Sequence, residues 1–247
     1  MNLERTPQIW GITGNLGGGK TLTAVYLSVN AMREGYFVCS NVTLNIDAIC
    51  RSYGKHLSAL YQHISLDDPD FDPYLLPCGS PRGSGGGKRV LIVLDECAEW
   101  FDQYQSGKDP RVSNLMSWIR HSSKRSQDVM LIVQRMDYLQ KSLRILISKW
   151  VIVDDMSFWR VPILRMRLPF MGGFVMQRHF SRDKKLLARP SFINKSVWGR
   201  FYNTAECLNA KGASTVYEYE SPEYHPPFPW FLFILYLLSV LALYLFA

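Results

Sequence analysis

Residues 8–21 read QIWGITGNLGGGKT, and this stretch decides the fold. Gln8 to Thr13 is a short apolar run with a β-branched bias, which predicts a buried strand. Gly14 to Thr21 satisfies the pattern G-x-x-x-x-G-K-[ST]. From Thr21 to Glu34 apolar residues fall at Leu22, Val25, Tyr26, Val29 and Met32, the spacing of a helix with one buried face. Gly35 stands where such a helix should stop. A strand, a glycine-rich turn and an amphipathic helix, in that order, form the context the pattern requires.

Each part of Gly14–Leu22 has a physical task. Gly14, Gly17, Gly18 and Gly19, with Asn15 and Leu16 between them, let the backbone wrap a phosphate with its N–H groups pointing inward. The helix that opens at Thr21 and Leu22 adds unpaired N-terminal donors and the positive end of its dipole. Lys20 supplies a cation to the β- and γ-phosphates of ATP, and the Thr21 hydroxyl is a Mg2+ ligand. A second glycine-lysine run, GSGGGKR at 83–89, lacks the Ser/Thr and precedes a strand, so it reads as a loop.

The other half of a nucleotide site follows Arg89 to Leu94, RVLIVL, a continuous apolar run expected of a strand buried on both faces. Asp95 and Glu96 stand at its carboxyl end, where ligands gather in open parallel sheets. Asp95 is expected to hold Mg2+ through water, and Glu96 to orient and polarise the attacking water. Gln134 closes the next predicted strand, Asp128 to Gln134. It either contacts the γ-phosphate or makes an ordinary strand-end hydrogen bond. Arg120, Arg135 and Arg144 are candidates for a charge donated to a neighbouring subunit's phosphate.

The remaining pattern predicts a strand at Tyr36–Ser40, helices at Asn114–Lys124 and Met136–Ser148, and a strand at Trp150–Val153. Between Asn45 and Lys88 the pattern dissolves into turn chemistry, with one helix near Ser52–His63. Strands alternating with helices give an α/β P-loop NTPase fold, a mainly parallel sheet flanked by helices. After Met156 two strands, Phe158–Leu168 and Phe174–Phe180, are joined through Met171-Gly172-Gly173. A helix around Ser196–Ala210 closes this small basic β-rich extension. The chain thus divides into a core at 1–155 with an irregular insertion at 45–88, a basic extension at 156–212, and a proline-rich linker at 213–229. The last segment, 230–247, reads WFLFILYLLSVLALYLFA, eighteen uncharged residues. As a helix it would cover about 27 Å, close to the roughly 30 Å of a bilayer's hydrocarbon core, so it is expected to be transmembrane. The opening residues MNLERTPQIW lack the basic-then-apolar pattern of a signal peptide.

Formal net charge is +7, and between Met156 and Arg200 ten basic residues face one acidic one, Asp183. A regional positive field suits nucleic acid, acidic proteins or anionic lipid, without choosing among them. Five cysteines without a Cys-x-x-Cys pair point to reduced thiols and away from a disulfide framework or a zinc site.

Four segments carry a family resemblance: GITGNLGGGKT at 11–21, VLIVLDECAEWF at 90–101, WIRHSSKRSQDVMLIVQRMDYLQKSLR at 118–144 and SVWGRFYNT at 196–204. Together with the C-terminal apolar segment they resemble the zonular occludens toxin-like (Zot) proteins, which include the gene I assembly proteins of filamentous bacteriophages. The Walker elements are common to many ATPases; their combination with Arg120-His121, Gln134 and the terminal helix is more specific. The resemblance implies an ATPase that assembles and extrudes filamentous virions at the host bacterial inner membrane. It also implies a homo-oligomeric ring, with phage coat protein and single-stranded phage DNA or its binding protein as partners, and an outer-membrane secretin channel. Family members often continue into a periplasmic tail, whereas this chain stops at Ala247, so it is expected to be either tail-anchored or cut short. Near the apolar segment Glu218, Glu220 and Glu223 outnumber basic residues, so charge gives no orientation. The need for ATP places the domain in the cytoplasm. Other classes stay open: a DNA-translocating ATPase of a conjugation or transfer system, a nucleotide-dependent assembly scaffold, and a small-molecule kinase.

Overall fold

The central strand is β1 (Ile9–Gly14), whose backbone pairs on both sides, with every neighbour supplied from far along the chain. The computed structural model describes residues 7–66, 68, 70–80, 88–101, 110–158, 173–202, 206–208 and 214–216. After β1 come α1 (Lys20–Arg33), β2 (Tyr36–Ser40), α2 (Ile46–Tyr53), β3 (Tyr61–His63), β4 (Arg89–Leu94), α3 (Cys97–Phe101), α4 (Pro110–His121), β5 (Gln127–Val133), α5 (Lys141–Arg144), β6 (Lys149–Asp155), β7 (Phe174–Ser181), β8 (Ser191–Asn194) and α6 (Lys195–Trp198). The eight strands run in the order β3-β2-β4-β5-β1-β6-β7-β8. The pairings from β3 to β6 are parallel, and β7 and β8 close one edge antiparallel. The parallel crossovers put helices on the sheet faces, which requires strands apolar on both sides.

The strand side chains alternate between two cores. Leu91 and Val93 of β4, Met130 and Ile132 of β5, and Val151 and Val153 of β6 face a cluster with Leu22, Val25 and Val29 of α1 and Ile49 of α2. Val90, Ile92 and Leu94, with Val129, Leu131 and Val133, face a second cluster with Phe101, Trp118, Ile119 and Leu143. This period-two partition makes a continuous apolar run such as RVLIVL necessary. The result is a three-layer α/β sandwich, a mostly parallel sheet between helices.

Several expectations are corrected in detail. The insertion is more regular than its composition implies. Its helix begins at Ile46, six residues before the expected start at Ser52, because Asn45 caps it by accepting from the Ala48 amide at 3.0 Å. Its end, Tyr61–His63, joins the sheet as an edge strand parallel to β2. The helix expected over Met136–Ser148 is two short pieces, a turn of 3-10 helix at Met136–Tyr138 and the four-residue α5. The helix expected over Ser196–Ala210 stops at Trp198 and passes into one 3-10 turn, Gly199–Phe201. The extension after Met156 is continuous with the central sheet through β7. The expected strand Phe158–Leu168 falls almost wholly among residues outside the described ones, as does the glycine-lysine loop at 83–87.

Residues 204–247 form a second unit. Within it β9 (Glu206–Leu208) and β10 (Ser214–Val216) pair antiparallel. The apolar segment 230–247 lies outside the described residues, and among these no helix is long and apolar enough to cross a membrane.

Candidate nucleotide site

The glycine turn between β1 and α1 is built by steric exclusion as much as by flexibility. Gly19 sits at φ 89°, and a Cβ there would approach Val175 Cγ2 of β7 to 2.6 Å. A Cβ on Gly14 would come within 2.3 Å of the Val153 carbonyl oxygen. Glycine at both positions lets the turn lie directly on β6 and β7. The Gly18 amide donates to the Asn15 carbonyl at 2.9 Å, and Leu16 at the tip is 82% exposed. Helix α1 opens from Gly19 with no capping side chain and no acid in its first turn, so the positive end of its dipole is not neutralised locally. Leu22, the residue after the motif, is buried in the core and anchors this helix end.

Lys20 folds its ammonium back over the turn, donating to the carbonyls of Gly14 at 3.1 Å and Asn15 at 3.0 Å. Burial draws the ammonium below its ordinary pKa, opposed by the negative charges of Asp95 and Glu96. Thr21 Oγ1 donates to Asp95 Oδ2 at 2.7 Å, although β5 stands between β1 and β4. Burial pushes the Asp95 carboxyl above the usual range; the Thr21 hydroxyl, the Glu96 amide and Lys20 work the other way. A hydroxyl and a carboxylate oxygen brought together beside a lysine suit Mg2+, a hard cation that takes oxygen ligands.

Glu96 is exposed and takes φ 55°, a left-handed conformation that is costly for a residue with a side chain. Its amide donates to Asp95 Oδ1 at 2.8 Å. Gln134 directly follows β5, between the strands that carry the glycine turn and Asp95. Its side chain is exposed, and its backbone carbonyl accepts from Thr13 Oγ1 at 3.1 Å. Among the arginines, Arg120 is exposed at the end of α4. Arg135 and Arg144 both pair with Asp137, at 3.4 and 3.6 Å. The structure therefore gathers Gly14–Leu22, Asp95, Glu96 and Gln134 at one end of the sheet. For Arg120 and Arg144 it gives a position without a contact to those residues.

One side chain at this site escapes sequence reasoning. Asn41, the residue after β2, accepts from the Asp95 amide at 2.7 Å and donates through Nδ2 to the Asp95 carbonyl at 3.1 Å. Its own amide donates to Val93 O at 3.3 Å. The only sequence signal is a polar residue at a strand end, which many strands share.

SVWGRFYNT also acquires a physical meaning. From β8 the chain crosses α1 and returns to the end of β2, where Tyr202 bridges Leu44 and the Asn45 amide donates to Phe201 O at 2.8 Å. Trp198 packs edge-on against Tyr26 of α1 at 4.7 Å and against Phe201 at 5.4 Å, and stacks on Tyr53 of α2 at 6.3 Å. Lys195 pairs with Asp155 at 2.6 Å. Burial raises the Tyr202 phenol pKa, and the charge of Asp95 adds to it.

Residues 9–157 match the family model described as zonular occludens toxin (Zot). The chain belongs to the Zot family. Similar proteins of this kind include the gene 1 protein of Escherichia phage If1, 29% identical over 149 residues, which are 58% of this chain and 40% of that protein. The gene 1 protein of Enterobacteria phage M13 is 25% identical over 226 residues, or 87% of this chain and 64% of that protein. The chain thus spans 40% to 64% of the length of these relatives. Among solved structures, the N-terminal domain of zonular occludens toxin from Neisseria meningitidis superposes with a TM-score of 0.45 at 17% identity. That match covers 80% of this chain and all of that one.

Proposed function

We propose that this Zot-family chain is a Mg2+-dependent ATPase, anchored in the host bacterial inner membrane, that drives assembly and extrusion of filamentous phage virions. The observation that carries this reading is the 2.7 Å hydrogen bond from Thr21 to Asp95, beside Lys20 and a glycine turn, in a chain related to phage gene 1 proteins over most of its length. Backbone amides of Gly14–Thr21 and the Lys20 ammonium would bind the phosphates. Thr21 and Asp95 would hold Mg2+, which supplies positive charge to the phosphate oxygens when bound. The Glu96 carboxylate would take a proton from the attacking water, and Gln134 would contact the γ-phosphate. Arg120 or Arg144 would reach the phosphates of a neighbouring subunit in a ring. Coat protein, phage DNA or its binding protein, and an outer-membrane secretin channel would be the partners. The segment 230–247 would be the anchor, with residues 1–203 in the cytoplasm.

The test is virion release from cells carrying Lys20→Ala in an otherwise complete phage genome, with protein level and membrane fractionation followed in parallel. Normal protein in the membrane fraction and no released particles is the expected result. Normal release would overturn the assembly-ATPase reading.

A further inference from the structure

We infer that Asn41 is a positioning residue for ATP hydrolysis, fixing the turn that carries Glu96; this rests on the ATPase reading above. Glu96 holds φ 55° with a full side chain, and such a conformation persists only where its surroundings over-determine it. The surroundings here are identifiable. The carboxamide of Asn41 grips both peptide groups of the preceding residue, taking the Asp95 amide at 2.7 Å and giving to the Asp95 carbonyl at 3.1 Å. That carbonyl belongs to the same peptide plane as the Glu96 amide, which is itself held by Asp95 Oδ1 at 2.8 Å. The peptide plane entering Glu96 is therefore restrained at its oxygen by Asn41 and at its nitrogen by Asp95. With this plane fixed, the direction of the Glu96 Cα–Cβ bond has one remaining soft dihedral, φ, and the first turn of α3 constrains it through the Glu99 amide, which donates to Glu96 O at 3.0 Å.

Asn41 needs no contact with nucleotide or water for this. It keeps the carboxylate that receives the water's proton in one place, a condition on which rate depends steeply. Removing the Asn41 carboxamide should thus lower kcat and leave ATP binding, set by Lys20 and the glycine turn, nearly unchanged.

The test measures steady-state ATP hydrolysis by the full chain with Mg2+, comparing the parent, Asn41→Ala, Glu96→Gln and the double variant, with thermal melts alongside. The expected result is a kcat for Asn41→Ala reduced roughly ten- to a hundredfold. Its KM for ATP should stay within about twofold, and the double variant should be no slower than Glu96→Gln alone. Should Asn41→Ala not fold, Asn41→Asp takes its place. It keeps the acceptor for the Asp95 amide and loses the donor to the carbonyl, and the same comparison applies. An unchanged kcat, a loss confined to KM, or losses that multiply in the double variant would each overturn the inference. A parent chain that does not hydrolyse ATP would overturn the ATPase reading, and this inference with it; a hydrolysing parent with an unaffected Asn41→Ala would overturn this inference alone.

Discussion

Thr21 Oγ1 and Asp95 Oδ2 lie 2.7 Å apart, yet the residues are 74 apart in sequence, and the strands they adjoin, β1 and β4, are not neighbours in the sheet. The contact exists because α1 begins above the end of β1 and Asp95 reaches toward it past the end of β5. It brings together the two oxygen donors that a phosphate-bound Mg2+ would need.

Thr21→Ser keeps that hydroxyl and Thr21→Ala deletes it. Hydrolysis of ATP by Thr21→Ser should stay within about threefold of the parent, whereas Thr21→Ala should lose roughly a hundredfold or more. A Mg2+ titration at saturating ATP is the measurement. Equal activity of the two variants would remove Thr21 from the metal site.

Residues Lys195–Tyr202, laid over α1 as an aromatic strap, should contribute to global stability. Trp198 is partly buried against Tyr26, Tyr53 and Phe201, so Trp198→Ala should cost about 2–3 kcal/mol, below the range for fully buried tryptophans. Urea unfolding followed by far-UV circular dichroism reads this directly. An unchanged midpoint would mean that the strap is only laid over α1.

Asp128 makes stability depend on pH in an unusual direction. Burial pushes its carboxyl up to about 6, against the pull of the Gln8 amide at 2.7 Å and the charges of Arg89 and Lys149. A folded pKa above the unfolded one means that the folded state holds the proton more tightly. This group's contribution is therefore most favourable below about pH 4 and declines as pH rises toward 6, by on the order of 2 kcal/mol. Asp128→Asn should flatten that part of the stability profile. A parent and variant with parallel profiles between pH 4 and 7 would contradict it.

Thiol reactivity should sort by burial. Cys78 is exposed, whereas Cys39 is buried with its thiol pushed up to about 12, and Cys97, fully buried, is pushed up as well. Short maleimide labelling of the folded chain at pH 7.5, read by peptide mass spectrometry, should modify Cys78 and spare Cys39 and Cys97. Rapid labelling of either buried thiol would show that the α3 side of the sheet opens readily.

The parts legible in the sequence were those with a local cause. RVLIVL forms β4 over the residues its composition marks, because a strand covered on both faces must be apolar throughout. The glycine turn and α1 were legible for the same kind of reason. Tyr61–His63 was not: three residues at an edge, two of them exposed, carry no alternation to read. The single helix expected over Met136–Ser148 was not legible as two pieces: Leu139, Leu143 and Ile147 are fully buried, but four-residue spacing can be met by separate turns as well as by one helix. Asn41 was invisible because its role depends on the register of β2 against β4, fixed by contacts 54 residues distant.

The strap has a mechanical consequence. Any load on the chain beyond residue 203 enters the N-terminal unit through Tyr202 and Phe201, which are tied to Leu44 and Asn45 just past the end of β2. A pull at that point is shared between the strand end that grips Asp95 and, through Trp198, the helix that carries Lys20 and Thr21. Tension entering there would thus reach the residues that hold Asp95 and the helix that carries Thr21.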